Sequence, residues 1–298
     1  MGYLFVDRIL EAHTDPAQGP LGGRGVKAVS RTDPWVRPGP SGLELSTSFV
    51  GEAVGQLAAW IAMAHRKFQA RPVAGITADV EILGVARPGD LVAVEVAIRS
   101  LEDDAIDYDG TASVDGTPIL RLHHAVGPLL SMARFDDPSR VERRFHDLLD
   151  PDFDSGTPGA LLWSREEVAT SNPGAFLDHP AIDRVIERDT MRLVAVTCVS
   201  LNAPYLVEHF PREPVLPATM LYDAQVALAR ELSLAHGRFR PVRLVDLKMR
   251  SFVRPGTRLV SEVLLETQPA DGLKARMTGR VDGRIVSNAQ LLLERTDR

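Results

Sequence analysis

The chain has 298 residues, 25% of them charged and 44% hydrophobic, with a formal net charge of −6. This is a globular composition with length for two domains. The mild acidity, with no run of like charges, argues against nucleic acid or an anionic membrane as the main partner. A single cysteine, Cys198, excludes an intrachain disulfide and fits a reducing cytoplasm. It lies in the apolar run Leu193–Val199 and reads as a small strand residue. Asp7 comes too early for a signal peptide, and no apolar stretch reaches the roughly 18–20 residues of a membrane span. A soluble, cytoplasmic chain is expected.

In chain order, Val6-Asp7-Arg8-Ile9-Leu10-Glu11 reads as a helical turn leading into an extended segment. A helix follows near Thr47–Phe68, where Phe49, Val50, Val54, Leu57, Ala58, Ile61 and Ala62 form a wide apolar stripe at helical spacing. Ser46, Thr47 and Ser48 offer caps. Strands are expected near 76–85, 90–100, 106–114 and 118–126, separated by Pro-Gly and Asp-Gly turns. Asp136–Gly159, rich in Asp, Pro, Gly and Arg, reads as a linker with a short helix at Ser139–Leu149.

The second half repeats this order. Ile182-Asp183-Arg184-Val185-Ile186-Glu187 echoes the opening segment at an offset of 176 residues. A helix near Ala218–His236 has Pro217 at its start and Gly237 just past its end. Strands are expected near 242–253, 257–267, 272–281 and 284–294. Arg87-Pro88-Gly89 recurs as Arg254-Pro255-Gly256, and Val114-Asp115-Gly116 as Val281-Asp282-Gly283, both 167 residues on. Two motifs at one offset mark an internal repeat. One long helix followed by an antiparallel meander predicts a sheet wrapped around that helix, twice. The expected domains are 1–135, a linker at 136–160, and 161–298.

The run His209-Phe210-Pro211-Arg212-Glu213-Pro214-Val215-Leu216-Pro217-Ala218, with Asp223 fourteen residues after the histidine, carries a resemblance. The second half resembles the 3-hydroxyacyl-ACP dehydratases of fatty acid synthesis, from Phe176 to Glu294. Their pattern is H-F-P-G-x-P-V-M-P-G followed by a carboxylate at that spacing. Asn202-Ala203-Pro204-Tyr205 and Phe252-Val253-Arg254-Pro255-Gly256 also look like family segments. Arg212 and Ala218 stand where the pattern has glycines. The first half is more weakly similar. Glu52-Ala53-Val54-Gly55-Gln56 matches the family's E-A-x-x-Q helix motif, and Pro38 stands where the histidine would be.

The resemblance implies an α+β double hotdog, a pseudo-dimer of two antiparallel sheets each wrapped around one long helix. It also implies one working site, pairing His209 of one half with Glu52 of the other. His209 would take the C2 proton of a 3-hydroxyacyl thioester, a role that suits a neutral imidazole. The Ala218 N–H would polarise the thioester carbonyl. Glu52, buried with a raised pKa, would protonate the leaving hydroxyl or position a water that does. Gln56, one turn on, would face the same tunnel or satisfy a buried polar contact. Glu52 also reads as a first-turn carboxylate favoured by the helix dipole. Asp223 is the alternative acid if chains pair differently.

Arg240, Arg243, Lys248, Arg250 and Arg254 form a local basic set. This is either a solvated strand face or, at Lys248, Arg250 and Arg254, a docking patch for an acidic acyl carrier protein and its phosphopantetheine. No cofactor is implied beyond that arm on the carrier. Neighbouring His123 and His124 would point to opposite faces of a strand, so no metal site is read there. The leading activity is dehydration to a trans-2-enoyl thioester in fatty acid or polyketide/polyene synthesis. The alternatives are a dehydratase/isomerase, a hotdog thioesterase and a non-catalytic acyl-binding partner subunit. Chain length, carrier and further association of chains into a homo-oligomer are left open.

Overall fold

The computed structural model describes residues 4–29, 33–39, 42–151, 182–199, 204–207, 209–255, 257–268 and 272–296. Asn202, Ala203, Gly256, residues 152–160 of the expected linker and residues 161–181 lie outside them. The described chain divides into two compact units, one of residues 4–74 and 83–151, the other of residues 75–82 and 182–296. Among the described residues, no helix is long and apolar enough to cross a membrane.

The first unit has the sheet order β1 (Arg8–His13), β2 (Gly22–Ala28), β7 (Leu91–Leu101), β8 (Ala105–Val114), β9 (Thr117–Ser131), all antiparallel. A short β5 (Ala70–Pro72) pairs with β9, and β3 (Val36–Gly39) and β4 (Gly42–Leu45) form a separate ribbon. Helix α1 (Thr47–His65) lies on the sheet and buries Phe49, Val50, Ala53, Val54, Leu57, Ala58, Trp60, Ile61, Ala62 and Met63. Gly51, Glu52, Gly55 and Gln56 form a half-buried strip along it. At its start Phe49 stacks on Trp35 (ring centroids 4.3 Å apart) and on Phe5 (5.1 Å). Ser46 is the N-cap residue, without a side-chain cap bond. The helix stops at His65, short of Phe68, because Lys67 and Phe68 adopt positive φ and the Phe68 N–H closes on the Met63 carbonyl at 2.7 Å.

The second unit has the order β6 (Ile76–Ile82), β12 (Phe239–Met249), β15 (Arg284–Arg295), β14 (Leu273–Val281), β13 (Arg258–Thr267), β11 (Arg192–Cys198), β10 (Arg184–Arg188), also antiparallel. Helix α3 (Ala218–Ser233) packs on β11–β14 with Met220, Leu221, Ala224, Leu228, Ala229 and Leu232 buried. The repeat shows in detail. Asp115-Gly116 and Asp282-Gly283 both have positive φ at both residues, as two-residue hairpin turns require.

Three expectations are corrected. The opening segments of the two halves are strands, not helical turns. Both carry a bulge at the same place, between Ile9 and Glu11 and between Val185 and Glu187. An extra residue there breaks the period-2 alternation, and ahead of the first bulge Val6 and Ile9 are buried three apart, which imitates helical spacing. The segment 76–82, expected within domain 1–135, groups with the second unit, where Val80 stands opposite Leu244 of β12. Residues 138–148 form the short helix expected at Ser139–Leu149, but it packs on the first unit instead of lying in a linker. Helix α2 (Pro138–Leu148), capped by the Asp137 carboxylate, buries Val141, Phe145 and Leu148, and Phe145 lies against Trp60 and Phe68 of the first unit.

Close approach of α1 to the sheet depends on Gly110 of β8. A Cβ there would lie 2.2 Å from Val54 Cγ1 and 3.1 Å from the Glu95 carbonyl oxygen. Gly110→Ala is therefore expected to destabilise the chain by about 1–3 kcal/mol, with Val54→Ala recovering part of the loss in the double variant. Urea unfolding of the four proteins checks this. Equal midpoints for wild type and Gly110→Ala would contradict it.

Candidate active site

In the second unit the motif loop is shaped by three prolines and short backbone bonds. The His209 N–H donates to the Tyr205 carbonyl (3.0 Å), the Val215 N–H returns to the His209 carbonyl (3.0 Å), and the Leu216 N–H donates to the Val253 carbonyl (2.8 Å). This hairpin-like loop presents a half-buried His209 ring stacked on Phe210, centroids 4.2 Å apart. Nδ1–H of His209 donates to the Val215 carbonyl oxygen at 3.2 Å, which puts the ring lone pair on Nε2. Tyr205 beneath the loop is pushed up to about 12 by burial and by the charge of Asp183, so it stays a neutral phenol.

The loop runs straight into α3, whose first residue is Ala218. The leading N–H groups of a helix have no partner within it, so the Ala218 N–H belongs to a set of outward donors at the positive end of the dipole. Asp223, one and a half turns in, is 4% exposed and held in the helix's buried face.

The expected basic set is largely neutralised. Arg240 pairs with Glu294 (2.7 Å), Arg243 with Asp79 (2.6 Å) and Arg254 with Glu213 of the motif loop (2.8 Å). Lys248 and Arg250 form no ion pair among the described residues. The exposed Arg250 instead donates to the Asn288 side-chain oxygen at 3.1 Å.

In the first unit Glu52 and Gln56 lie on the half-buried face of α1. The Phe5 N–H donates to Gln56 Oε1 (2.8 Å), and Gln56 Nε2 donates to Glu52 Oε1 (2.8 Å). Gln56 thus serves as a relay that fixes the carboxylate. The structure adds two residues that sequence reading missed. Arg71 of β5 carries a desolvated guanidinium lowered to about 10 by burial, an effect opposed by the charges of Glu52 and Asp136. It remains a cation at neutral pH beside Glu52. Tyr108 of β8 is held well above the ordinary phenol range by burial, with the charge of Glu52 adding to it. Neither sits near Glu52 in sequence, and each reads as an ordinary strand residue, so no local signal marks them.

Residues 185–288 match the family model of ApeI-like proteins, described as ApeI dehydratase. A 3-hydroxyacyl-[acyl-carrier-protein] dehydratase FabZ of Anaeromyxobacter dehalogenans is 34% identical over 128 residues, which cover 39% of this chain and 81% of the relative. Two solved structures resemble nearly the whole chain. The tesB protein of Mycobacterium avium subs paratuberculosis has a TM-score of 0.57 at 13% identity, covering 91% of each chain. A MaoC-like dehydratase has 0.53 at 13% identity, covering 87% of this chain and 86% of its own. At such identities the likeness concerns the fold, a double hotdog of two antiparallel sheets, each on one long helix. With the motif from His209 to Asp223 on that fold, and a relative matched over four fifths of its length, this chain belongs to the hotdog-fold 3-hydroxyacyl-[acyl-carrier-protein] dehydratase family.

Proposed function

We propose that the chain removes water from a 3-hydroxyacyl thioester carried on the phosphopantetheine of an acyl carrier protein, giving the trans-2-enoyl thioester. The observation that carries this reading is the His209 ring, its Nδ1–H anchored on the Val215 carbonyl in a loop that ends at the N-terminus of α3. Nε2 takes a proton from C2 of the acyl chain. Negative charge that develops on the thioester oxygen is met by the Ala218 N–H, a preorganised donor. The C2 electron pair forms the double bond to C3, the C3–O bond breaks, and the oxygen leaves as water with a proton delivered from Glu52. His209 ends protonated and Glu52 ionised, and exchange with solvent restores both. Gln56 holds the carboxylate in place through the bond to Oε1. No further cofactor is needed for this chemistry.

His209→Ala and Glu52→Gln are each expected to lower kcat/KM for a 3-hydroxyacyl thioester by about 10²–10⁴-fold, the range for losing a positioned acid or base. The double variant should lose little more than the worse single one, because the two groups act on one event. Asp223→Asn should keep most of the activity and show its effect in stability, since the side chain is buried. Steady-state kinetics with circular dichroism checks this. Loss of turnover in Asp223→Asn with wild-type rates in Glu52→Gln would make Asp223 the acid.

The carrier's acidic surface is expected to meet Lys248 and Arg250, which form no ion pair among the described residues, more than Arg254, which is tied to Glu213. Arg250→Glu should raise KM for the carrier-bound substrate several-fold and leave KM for a short pantetheine thioester unchanged, with the difference shrinking as salt screens the contact. Equal changes for both substrates would count against docking there.

A further inference from the structure

The half-buried face of α1 has a second polar group aimed at it from the sheet. Tyr108 and Gly110 of β8 alternate onto the same side of the strand, and Gly110 is packed against Val54 of α1. The Tyr108 hydroxyl follows suit. A Cβ built on Gly55 would lie 3.3 Å from the phenol oxygen. Gly55 sits on the same helical face as Glu52 and Gln56, three residues after the first and one before the second. The absence of a side chain there lets the hydroxyl come against the helix backbone between the two. The half-buried Tyr108 forms no side-chain hydrogen bond among the described residues.

The two groups have complementary capacities. A phenol that keeps its proton offers an O–H donor, and burial together with the charge of Glu52 keeps it in that form far above neutral pH. Glu52, the proton donor of the proposed reaction, has its carboxyl oriented at Oε1 by Gln56. An alcohol oxygen has two lone pairs, so it can accept from the Tyr108 O–H and from the Glu52 carboxyl O–H together, and so can the water it becomes. A plain methylene can accept neither. Placing a saturated chain there would leave the buried phenol unmatched, which is how a site built around a hydroxyl rejects the analogue lacking it.

We propose that Tyr108, set against Gly55 on the Glu52–Gln56 face of α1, binds the C3 oxygen of the substrate and selects 3-hydroxyacyl chains over unsubstituted ones. This rests on the dehydratase reading for the identity of the oxygen. Through the reaction the O–H of Tyr108 follows that oxygen from alcohol to departing water without giving up its proton.

The test uses the His209→Ala protein, in which ligands bind without turning over, and compares it with the His209→Ala, Tyr108→Phe double variant. Two probes are titrated into each: a 3-hydroxyacyl pantetheine and the matching saturated acyl pantetheine. Tyr108→Phe is expected to weaken the 3-hydroxy ligand roughly tenfold, the worth of one buried hydrogen bond, and to tighten the saturated ligand, which no longer leaves a phenol unmatched. A parallel weakening of both, or of neither, overturns the assignment. Failure of the wild type to dehydrate, with the selective loss still seen, would sink the dehydratase reading and leave the hydroxyl site standing. Phenolate absorbance gives a readout that does not depend on ligand. The difference titration between wild type and Tyr108→Phe should place Tyr108 well above pH 10, and Glu52→Gln should bring it down. No shift on Glu52→Gln would remove Tyr108 from the carboxylate's neighbourhood and overturn the proposal.

Discussion

The hydrogen bond from the His209 ring to the Val215 carbonyl is the constraint on which the proposed chemistry depends. An imidazole with both nitrogens unconstrained would rotate and divide its lone pair between them. Anchoring Nδ1–H on a backbone carbonyl fixes the tautomer and the ring plane together. That carbonyl is itself fixed, because the N–H of Val215 returns to His209 and that of Leu216 is pinned to Val253. The loop's prolines remove donors that would otherwise need partners and hold φ near one value. The rare run of prolines and apolar residues in the motif is thus the physical means of holding one ring still.

The first unit supplies a different kind of order. Its helix α1 is largely apolar and buried and carries Gly51, Glu52, Gly55 and Gln56 in a half-buried strip that the sheet strands β8 and β9 reach. Glycines cost helix stability, so their presence on this face needs a reason. At Gly55 the reason is the approach of the Tyr108 hydroxyl. The buried charge on Arg71 is compensated by two carboxylates, Glu52 and Asp136. Glu52 therefore sits in a designed electrostatic setting of cation, amide donor and neutral phenol. The apolar tunnel that composition alone would suggest lacks all three.

The fold was largely legible in the sequence because its signals are periodic. The α1 and α3 stripes, the paired Asp-Gly turns and the alternating strands all appear where the pattern puts them. Two failures have separate causes. The bulges in β1 and β10 shift the alternation by one residue, so a period-based reading takes a strand for a helical turn. The grouping of β6 with the second unit is a matter of which strand it pairs, which no local pattern encodes. Among the candidate residues, His209, Ala218 and Asp223 could be proposed from the sequence because they lie within one contiguous motif. Glu52 and Gln56 could be proposed because they are one helical turn apart, and the structure joins them by a hydrogen bond. Arg71 and Tyr108 were not, since only tertiary packing brings them to α1. The buried set Gln225, Ser261 and Ser287 on α3, β13 and β15 was equally silent. Gln225 stands against Gly279 much as Val54 stands against Gly110, yet the surroundings in one unit are polar and in the other apolar.

Elimination of water from a 3-hydroxyacyl thioester with His209 as the base is tested by intact mass spectrometry of a 3-hydroxyacyl carrier protein after incubation with the wild type and with His209→Ala. Loss of one water from the acyl chain with the thioester intact is expected with the wild type, and no such loss with His209→Ala. Release of the acyl chain as free acid, or an unchanged mass with the wild type, would contradict it.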